Sequence, residues 1–194
     1  MAGFMVTSHG CRYVFASSEN ELLPEEIALV LSRIPRFGGH LAPSIPTYTV
    51  AQHSVLVSQL VPDEMQLAAL LHDAHEVVTG DIITPLQIEL DRRIPGFRKI
   101  LLALQREVQQ HIHRHFDLPD VLPADWEATI HEADIAVLRM ERAQVLEPSE
   151  WVTNWFCDTM PIRVQYPATH FEVWAPARAE SIFLDRLATL RTSK

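Results

Sequence analysis

The chain has 194 residues, of which 47% are hydrophobic and 21% are charged, and its formal net charge is −9. This size and composition predict one globular domain over residues 1–194, and the acidic balance disfavours a protein that binds duplex nucleic acid. No stretch is apolar enough for a membrane span, and the amino terminus lacks the features of a signal peptide. We therefore expect a cytoplasmic protein with no membrane partner.

Helices are predicted along most of the chain. The first begins at Pro24 and ends before Pro35, and others are expected over residues 50–61, 64–78, 84–94, 97–116, 124–146, 149–156 and 175–190, where apolar residues recur at helical spacing. Two short strands, residues 13–15 and 162–166, could pair as a minor β-ribbon from the terminal regions. The predicted fold class is therefore all-α, a single helical bundle.

Two of these helices begin with the sequence pattern of a capping box. Asp63 with Gln66, and Thr84 with Gln87, have the spacing for reciprocal capping. The end of the long helix over residues 97–116 carries histidines at positions 111, 113 and 115. Because alternate residues spread around a helix, we expect these histidines to be solvated, or favoured by the dipole at the carboxy terminus of the helix, rather than to bind a metal.

The adjacent pair His72 and Asp73 lies within an apolar helical run, where two ionisable side chains need partners to be buried. A divalent metal ion suits both, because imidazole and carboxylate groups are good ligands for first-row metals. His53 and Asp134 lie on two other predicted helices, on or beside an apolar stripe. We expect these four residues to bind one metal ion, which would activate water. The residues do not decide among Mn, Co, Mg, Fe, Ni and Zn.

The loop over residues 36–49 is the least regular part of the interior and contains two glycines and two prolines. It begins with Arg36 and Phe37, and an arginine beside an aromatic side chain suits a phosphate next to a flat base. The loop is either a plain connector or a wall of the site.

The spacing of His53, His72–Asp73 and Asp134 resembles that of the HD-domain metal-dependent phosphohydrolases. Residues 69–85 (ALLHDAHEVVTGDIITP) and residues 48–54 (YTVAQHS) are similar to the corresponding stretches of the family's small 5′-deoxynucleotidase branch. That branch includes enzymes that act on deoxynucleoside monophosphates and some phage-type dATP triphosphohydrolases. The resemblance covers residues 33–134, and it implies an HD-domain helical bundle, the same four metal ligands and a homodimer.

The resemblance also implies roles for residues outside the metal ligands. Glu76 would be the carboxylate that transfers a proton, and Asp81 would hydrogen-bond the attacking water or the sugar. Arg36 would face the phosphate, with Arg33 as a rival.

Two departures from the family pattern bear on the substrate. Phe37 stands where the family tends to have tryptophan, and Gln87 stands where it often has lysine. Losing one cation weakens the binding of a polyphosphate more than that of a monophosphate, because more negative charge must be neutralised. We therefore expect a small anionic substrate, a (deoxy)nucleoside 5′-monophosphate, hydrolysed by attack of metal-activated water on phosphorus.

Three alternatives stay open. The protein could be a (d)NTP triphosphohydrolase, another HD-type phosphodiesterase, or a non-catalytic binding module in which the metal is structural. The presence of Glu76 and Asp81 beside the four ligands argues against the last, because a structural site needs neither.

Overall fold

The computed structural model describes residues 3–15, 17, 19–153, 162 and 170–192, and helices predominate within them. The α-helices are α1 (Pro24–Leu31), α2 (Val50–Ser58), α3 (Gln66–Leu70), α4 (Glu76–Thr79), α5 (Thr84–Arg93), α6 (Phe97–His115), α7 (Ala124–Val145), α8 (Glu150–Thr153) and α9 (Pro176–Thr192). Two 3₁₀ helices, Arg36–Gly39 and Asp63–Met65, lie in the connections. The predicted all-α fold class is confirmed. Within the described ranges, no helix combines the length and the apolar composition that crossing a bilayer requires.

A small β-ribbon lies near the amino terminus. Strand β1 (Phe4–Val6) pairs antiparallel with β2 (Arg12–Val14), so that Met5 lies opposite Tyr13. A strand is thus present close to the predicted residues 13–15, but its described partner is β1 and not the predicted strand at residues 162–166. Residues 163–166 of that second strand lie outside the described residues.

Helix α2 lies at the centre of the molecule and contacts α3, α7 and α9. Eight of its nine residues are buried, as is typical of a helix enclosed by others. The side chain of Thr49 caps its amino terminus by accepting a hydrogen bond from the Gln52 amide (3.4 Å). The sequence of α2 therefore carries its one histidine, His53, into the core.

The predicted helix over residues 64–78 is interrupted where it carries the His72–Asp73 pair. Helix α3 ends at Leu70, residues 71–75 form turns, and α4 begins at Glu76. In this turn the amides of Ala74 and Glu76 bond three residues back rather than four, at 3.0 Å each. The uninterrupted helix of the prediction is wrong, and the side chain of Gln109 from α6 hydrogen-bonds the backbone at the interruption.

Neither predicted capping box forms. Helix α5 begins at Thr84 itself, with Pro85 in its first turn and no side-chain cap. The side-chain amide of Gln87 instead donates a hydrogen bond to the Ile82 carbonyl (2.6 Å). Asp63 accepts a hydrogen bond from the Gln66 side chain (2.8 Å) and not from a backbone amide at the helix start.

One of the three histidines near the end of α6 is buried, whereas solvation was predicted. His113 is only 4% exposed, and its Nδ1–H donates to the Pro119 carbonyl (2.8 Å). The loop after α6 folds back over the helix end, which buries this ring.

Candidate metal site

The four predicted metal ligands lie together in the interior. The Nε2 atoms of His53 and His72 are 3.3 Å apart. An Asp73 carboxylate oxygen lies 3.2 Å from His72 Nε2 and 3.6 Å from His53 Nε2, and Asp134 Oδ1 lies 3.2 Å from His53 Nε2. The ligand atoms of His53, His72 and Asp134 all lie within 4.8 Å of one another, so this group could hold a metal ion.

Hydrogen bonds on the far side of each ring fix both imidazoles. His72 Nδ1 lies 2.8 Å from the Ala69 carbonyl, which can only accept, so Nδ1 carries a proton. His53 Nδ1 donates in the same way to the Glu141 carboxylate (2.6 Å). Metal-binding histidines are usually oriented by such a carbonyl or carboxylate, which leaves Nε2 for the metal. Two Nε2 atoms face two carboxylates here, and a divalent metal ion suits this donor set.

Glu141 is a site residue that the sequence analysis did not identify. It is fully buried at the end of α7, and its Oε1 accepts hydrogen bonds from His53 and from the Tyr48 hydroxyl (2.7 Å). Its Oε2 accepts from Arg36 Nη2 (3.1 Å). One carboxylate thus holds both a candidate metal ligand and the arginine predicted to face phosphate.

The pKa values of His53 and Glu141 reflect this pairing. Burial lowers the pKa of His53 and Arg36 lowers it further, but Glu141 and Asp134 outweigh both and raise it to about 10. Burial raises the pKa of Glu141, but the charges of Arg36 and His53 and the hydrogen bonds from His53 and Tyr48 lower it to about 2. Without a metal, the site therefore retains a proton on His53 between two carboxylates.

The remaining carboxyl groups divide into two classes. Burial raises the pKa of Asp73, but His72, His53 and Arg36 bring it well below its usual range. Burial raises the pKa of Glu76, and Asp73 and Asp81 raise it further. Burial likewise raises the pKa of Asp81. The carboxylate beside the imidazoles is thus ionised, whereas Glu76 favours its protonated form.

A cavity of about 910 Å³ opens beside this group. It is lined by polar residues from the site and by apolar residues of α5, α6 and α7, the set being Arg36, Phe37, His40, Asp73, His75, Glu76, Asp81, Ile82, Ile83, Thr84, Pro85, Gln87, Ile88, Leu102, Gln105, His131, Asp134, Ile135, Leu138 and Leu146. Charged groups and apolar side chains therefore both line the cavity.

The structure separates the two arginines proposed for phosphate. Arg36 lines the cavity, with its side chain 13% exposed and Nη1 3.8 Å from Asp73. Arg33 is exposed in the turn after α1 and does not line the cavity.

Phe37, which follows Arg36, has a left-handed backbone (φ 57°). This conformation is rare for bulky residues, and such strained residues cluster at functional sites.

The other predicted site residues also reach the cavity. Glu76, Asp81, Phe37 and Gln87 line it, although the Gln87 amide is engaged by the Ile82 carbonyl. Glu76 is 7% exposed, and its Oε2 finds no hydrogen-bond partner in the described part of the chain. Ligand-type atoms of Asp73, His75 and Glu76 lie within 4.8 Å of one another, so acidic character continues from the metal site along this wall.

Comparison with known proteins identifies relatives of this chain. It is 32% identical to the uncharacterized protein YfdR of Escherichia coli (strain K12) over 192 residues, which cover 96% of this chain and 95% of YfdR. It is 35% identical to the uncharacterized protein RCAP_rcc00048 of Rhodobacter capsulatus over 133 residues, or 65% of this chain and 64% of that protein. No family model matches the sequence. The chain belongs to the protein family that includes YfdR.

Proposed function

We propose that this protein is an HD-domain metal-dependent phosphohydrolase that cleaves the phosphate from a (deoxy)nucleoside 5′-monophosphate. One observation carries the proposal. A group of imidazoles and carboxylates that suits a divalent cation opens onto a cavity that also holds a buried arginine and two further carboxylates.

The metal would be held by His53, His72, Asp73 and Asp134. A bound divalent cation supplies Lewis acidity, which makes water a better nucleophile near neutral pH and polarises a phosphoryl oxygen. The protein contributes rigid orientation, because hydrogen bonds hold each imidazole with Nε2 facing the carboxylates. Such a site needs little rearrangement when charge develops on the substrate.

Arg36 is suited to the substrate phosphate. Its guanidinium is fixed on one side by Glu141 (3.1 Å), and its Nε is buried without a hydrogen-bond partner in the described residues. A guanidinium binds phosphate oxygens through paired N–H donors. We infer that Arg36 presents its remaining donors to the phosphate and offsets charge as the bond to the leaving oxygen breaks.

Glu76 is suited to proton transfer. Burial, together with Asp73 and Asp81, raises its pKa, which favours the protonated form of the carboxyl group. Its unpartnered oxygen lies at the cavity wall, where it could donate to the leaving oxygen of the nucleoside. Asp81, on the same wall, would accept a hydrogen bond from the attacking water or from the sugar.

The charge of the cavity favours a monophosphate over a triphosphate. Among the described residues that line it, Arg36 is the only arginine or lysine, whereas Asp73, Glu76, Asp81 and Asp134 are acidic. A triphosphate carries more negative charge than one divalent cation and one arginine can offset. The apolar side chains of the cavity lining, Phe37 among them, would accommodate a flat base.

The test is hydrolysis of a panel of nucleoside and deoxynucleoside mono- and triphosphates with Mn²⁺, Co²⁺ or Mg²⁺, with products resolved by chromatography. We expect inorganic phosphate from a monophosphate, and no reaction after chelation. Asp73→Ala should lose both metal binding and hydrolysis. Glu76→Gln should keep the metal and lose turnover by about 10²-fold or more, the usual contribution of a general acid.

The control is Glu127→Gln, an exposed position on α7 that does not line the cavity, which should behave as wild type. Release of triphosphate from a (d)NTP would instead favour the triphosphohydrolase alternative. Wild-type activity in Glu76→Gln would remove its assigned role, and tight metal binding without hydrolysis of any phosphate ester would favour a binding module.

A further inference from the structure

A glutamine from α6 occupies the break between α3 and α4. In an uninterrupted helix the amide of His75 would donate to the carbonyl of Leu71, four residues earlier. Here the Gln109 side chain takes both groups: Nε2 donates to the Leu71 carbonyl (2.7 Å), and Oε1 accepts from the His75 amide (3.1 Å). The amide group of Gln109 therefore stands in place of one missing helical hydrogen bond.

Local sequence does not account for the break. Residues 66–79 contain neither glycine nor proline and are rich in leucine and alanine, which favour a continuous helix. When glycine and proline are absent, an inserted side chain is one of the few remaining causes of a sharp helix interruption. Gln109 is such a side chain, and it satisfies the backbone groups that the break would otherwise leave unpaired.

A hydrogen bond to His113 fixes the orientation of the Gln109 side-chain amide. Because His113 Nδ1–H donates to the Pro119 carbonyl, the neutral ring offers Nε2 as an acceptor. Gln109 Nε2 lies 2.9 Å from that atom and donates to it. Burial lowers the pKa of His113, which favours this neutral form. The NH₂ group of Gln109 must then face Leu71 and His113, and its oxygen must face His75.

We propose that Gln109 is a positioning residue for the metal site, acting by holding residues 71–75 out of helical geometry. Successive residues of a helix turn by about 100° and rise by about 1.5 Å, so closing the break would change the directions in which His72 and Asp73 point. With the break held open, these two side chains face His53, which is fixed separately on α2. This inference rests on the metal site of the proposed function.

The test compares Gln109→Met with Gln110→Met, the same substitution at the next position of α6, which does not line the cavity. Co²⁺ affinity is measured by calorimetry, Co²⁺ coordination by its visible absorption spectrum, and the break by hydrogen exchange at the His75 amide. For Gln109→Met we expect about 10- to 100-fold weaker Co²⁺ binding, a loss of the size that follows when the orientation of a metal ligand is disturbed, with an altered spectrum and changed exchange at His75. Gln110→Met should match wild type in all three.

Gln109→Glu separates hydrogen bonding from the filling of space. It keeps the length and the acceptor for His75 but loses the donor to Leu71, so we expect it also to weaken Co²⁺ binding. A side chain needed only for packing would be replaced adequately by methionine, which is of similar size and carries no charge. Wild-type Co²⁺ affinity and spectrum in Gln109→Met would overturn the inference.

Failure of the inference about Gln109 can be distinguished from failure of the proposed function. If the wild type binds Co²⁺ but hydrolyses no nucleotide, the proposed activity is wrong, while the Co²⁺ affinities of the variants still decide the role of Gln109. A wild-type protein that binds no Co²⁺ would overturn both.

Discussion

At the scale of single residues, Glu141 links the candidate metal ligand His53 to Arg36, the residue proposed to bind phosphate. Its Oε1 accepts from His53 and Tyr48, whereas its Oε2 accepts from Arg36. Burial of this carboxylate is tolerated because both of its oxygens accept hydrogen bonds, two at Oε1 and one at Oε2. The two oxygens therefore serve two different parts of the site, and a substitution that changes only one of them should separate their effects.

Glu141→Gln is that substitution. The amide oxygen should take the Oε1 position, where two donors meet, which places the NH₂ group against the Arg36 guanidinium. Because Arg36 loses a hydrogen bond to a charged partner, we expect KM for the phosphate substrate to rise about tenfold. Co²⁺ affinity should change by less than about threefold, since His53 keeps an acceptor. Steady-state kinetics and calorimetry measure the two effects, with Glu127→Gln as control. A large loss of Co²⁺ affinity with unchanged KM would contradict this division of roles.

Residue types and helical spacing predicted the candidate metal ligands but not Glu141, which hydrogen-bonds His53 and Arg36. His53, His72, Asp73 and Asp134 were found because ionisable groups on apolar stripes need partners. Glu141 lies seven residues after Asp134, so a search two turns along the same helix would have reached it. Its partners could not be found in this way, because His53 and Arg36 are separated from it by 88 and 105 positions. Such pairs depend on how α2 and the loop before it pack on α7.

At the scale of elements, the sequence predicted periodic helices well and tertiary interruptions poorly. The helices α1, α6, α7 and α9 lie where apolar spacing placed them. The break between α3 and α4 was missed, because its cause, Gln109, is more than thirty residues away and leaves no local signal. Strand β1 was missed because a segment of three residues shows no useful periodicity.

The β1–β2 ribbon is attached to α1 through Glu26, whose carboxylate is buried. It accepts hydrogen bonds from the Ser8 hydroxyl (2.9 Å) and the His9 amide (3.4 Å) in the connection between the strands. Burial raises the pKa of Glu26, but the hydrogen bonds from the Ser8 hydroxyl and the His9 amide, together with the nearby His9 imidazole, lower it. Ionised Glu26 therefore stabilises the folded protein.

Glu26→Gln should accordingly destabilise the protein in a manner that depends on pH. Because the folded-state pKa is lowered, the stabilisation is present above the unfolded-state pKa of about 4.3 and is lost as the pH falls through the folded-state value. We expect a loss of about 1 kcal/mol near pH 7, or about 2–4 °C in Tm, shrinking towards zero in acid. Thermal unfolding from pH 7 to pH 3 measures it. Glu25→Gln, exposed in the same helical turn, is the control, and a loss of equal size at every pH would contradict the role of the charge.

At the scale of the whole molecule, the candidate metal site joins segments that are distant in the chain. His53 comes from the central helix α2, His72 and Asp73 from the break after α3, and Asp134 from the middle of α7. The unfolded chain does not hold these groups together. A cation bound by all of them therefore binds the folded protein selectively and links its core helices.

Metal binding should therefore raise thermal stability and release a proton. At a free Co²⁺ concentration about 100 times Kd, we expect about 2.7 kcal/mol of stabilisation, or roughly 5–10 °C in Tm for a chain of this size. Because the pKa of His53 is raised to about 10 without metal, the cation must displace its proton, so affinity should increase with pH from 6 to 8. Thermal unfolding with and without a chelator measures the first effect, and calorimetry in buffers of different ionisation enthalpy measures the second. Asp134→Asn should reduce both, whereas a Tm that is insensitive to Co²⁺ in the wild type would mean that these side chains form no common cation site.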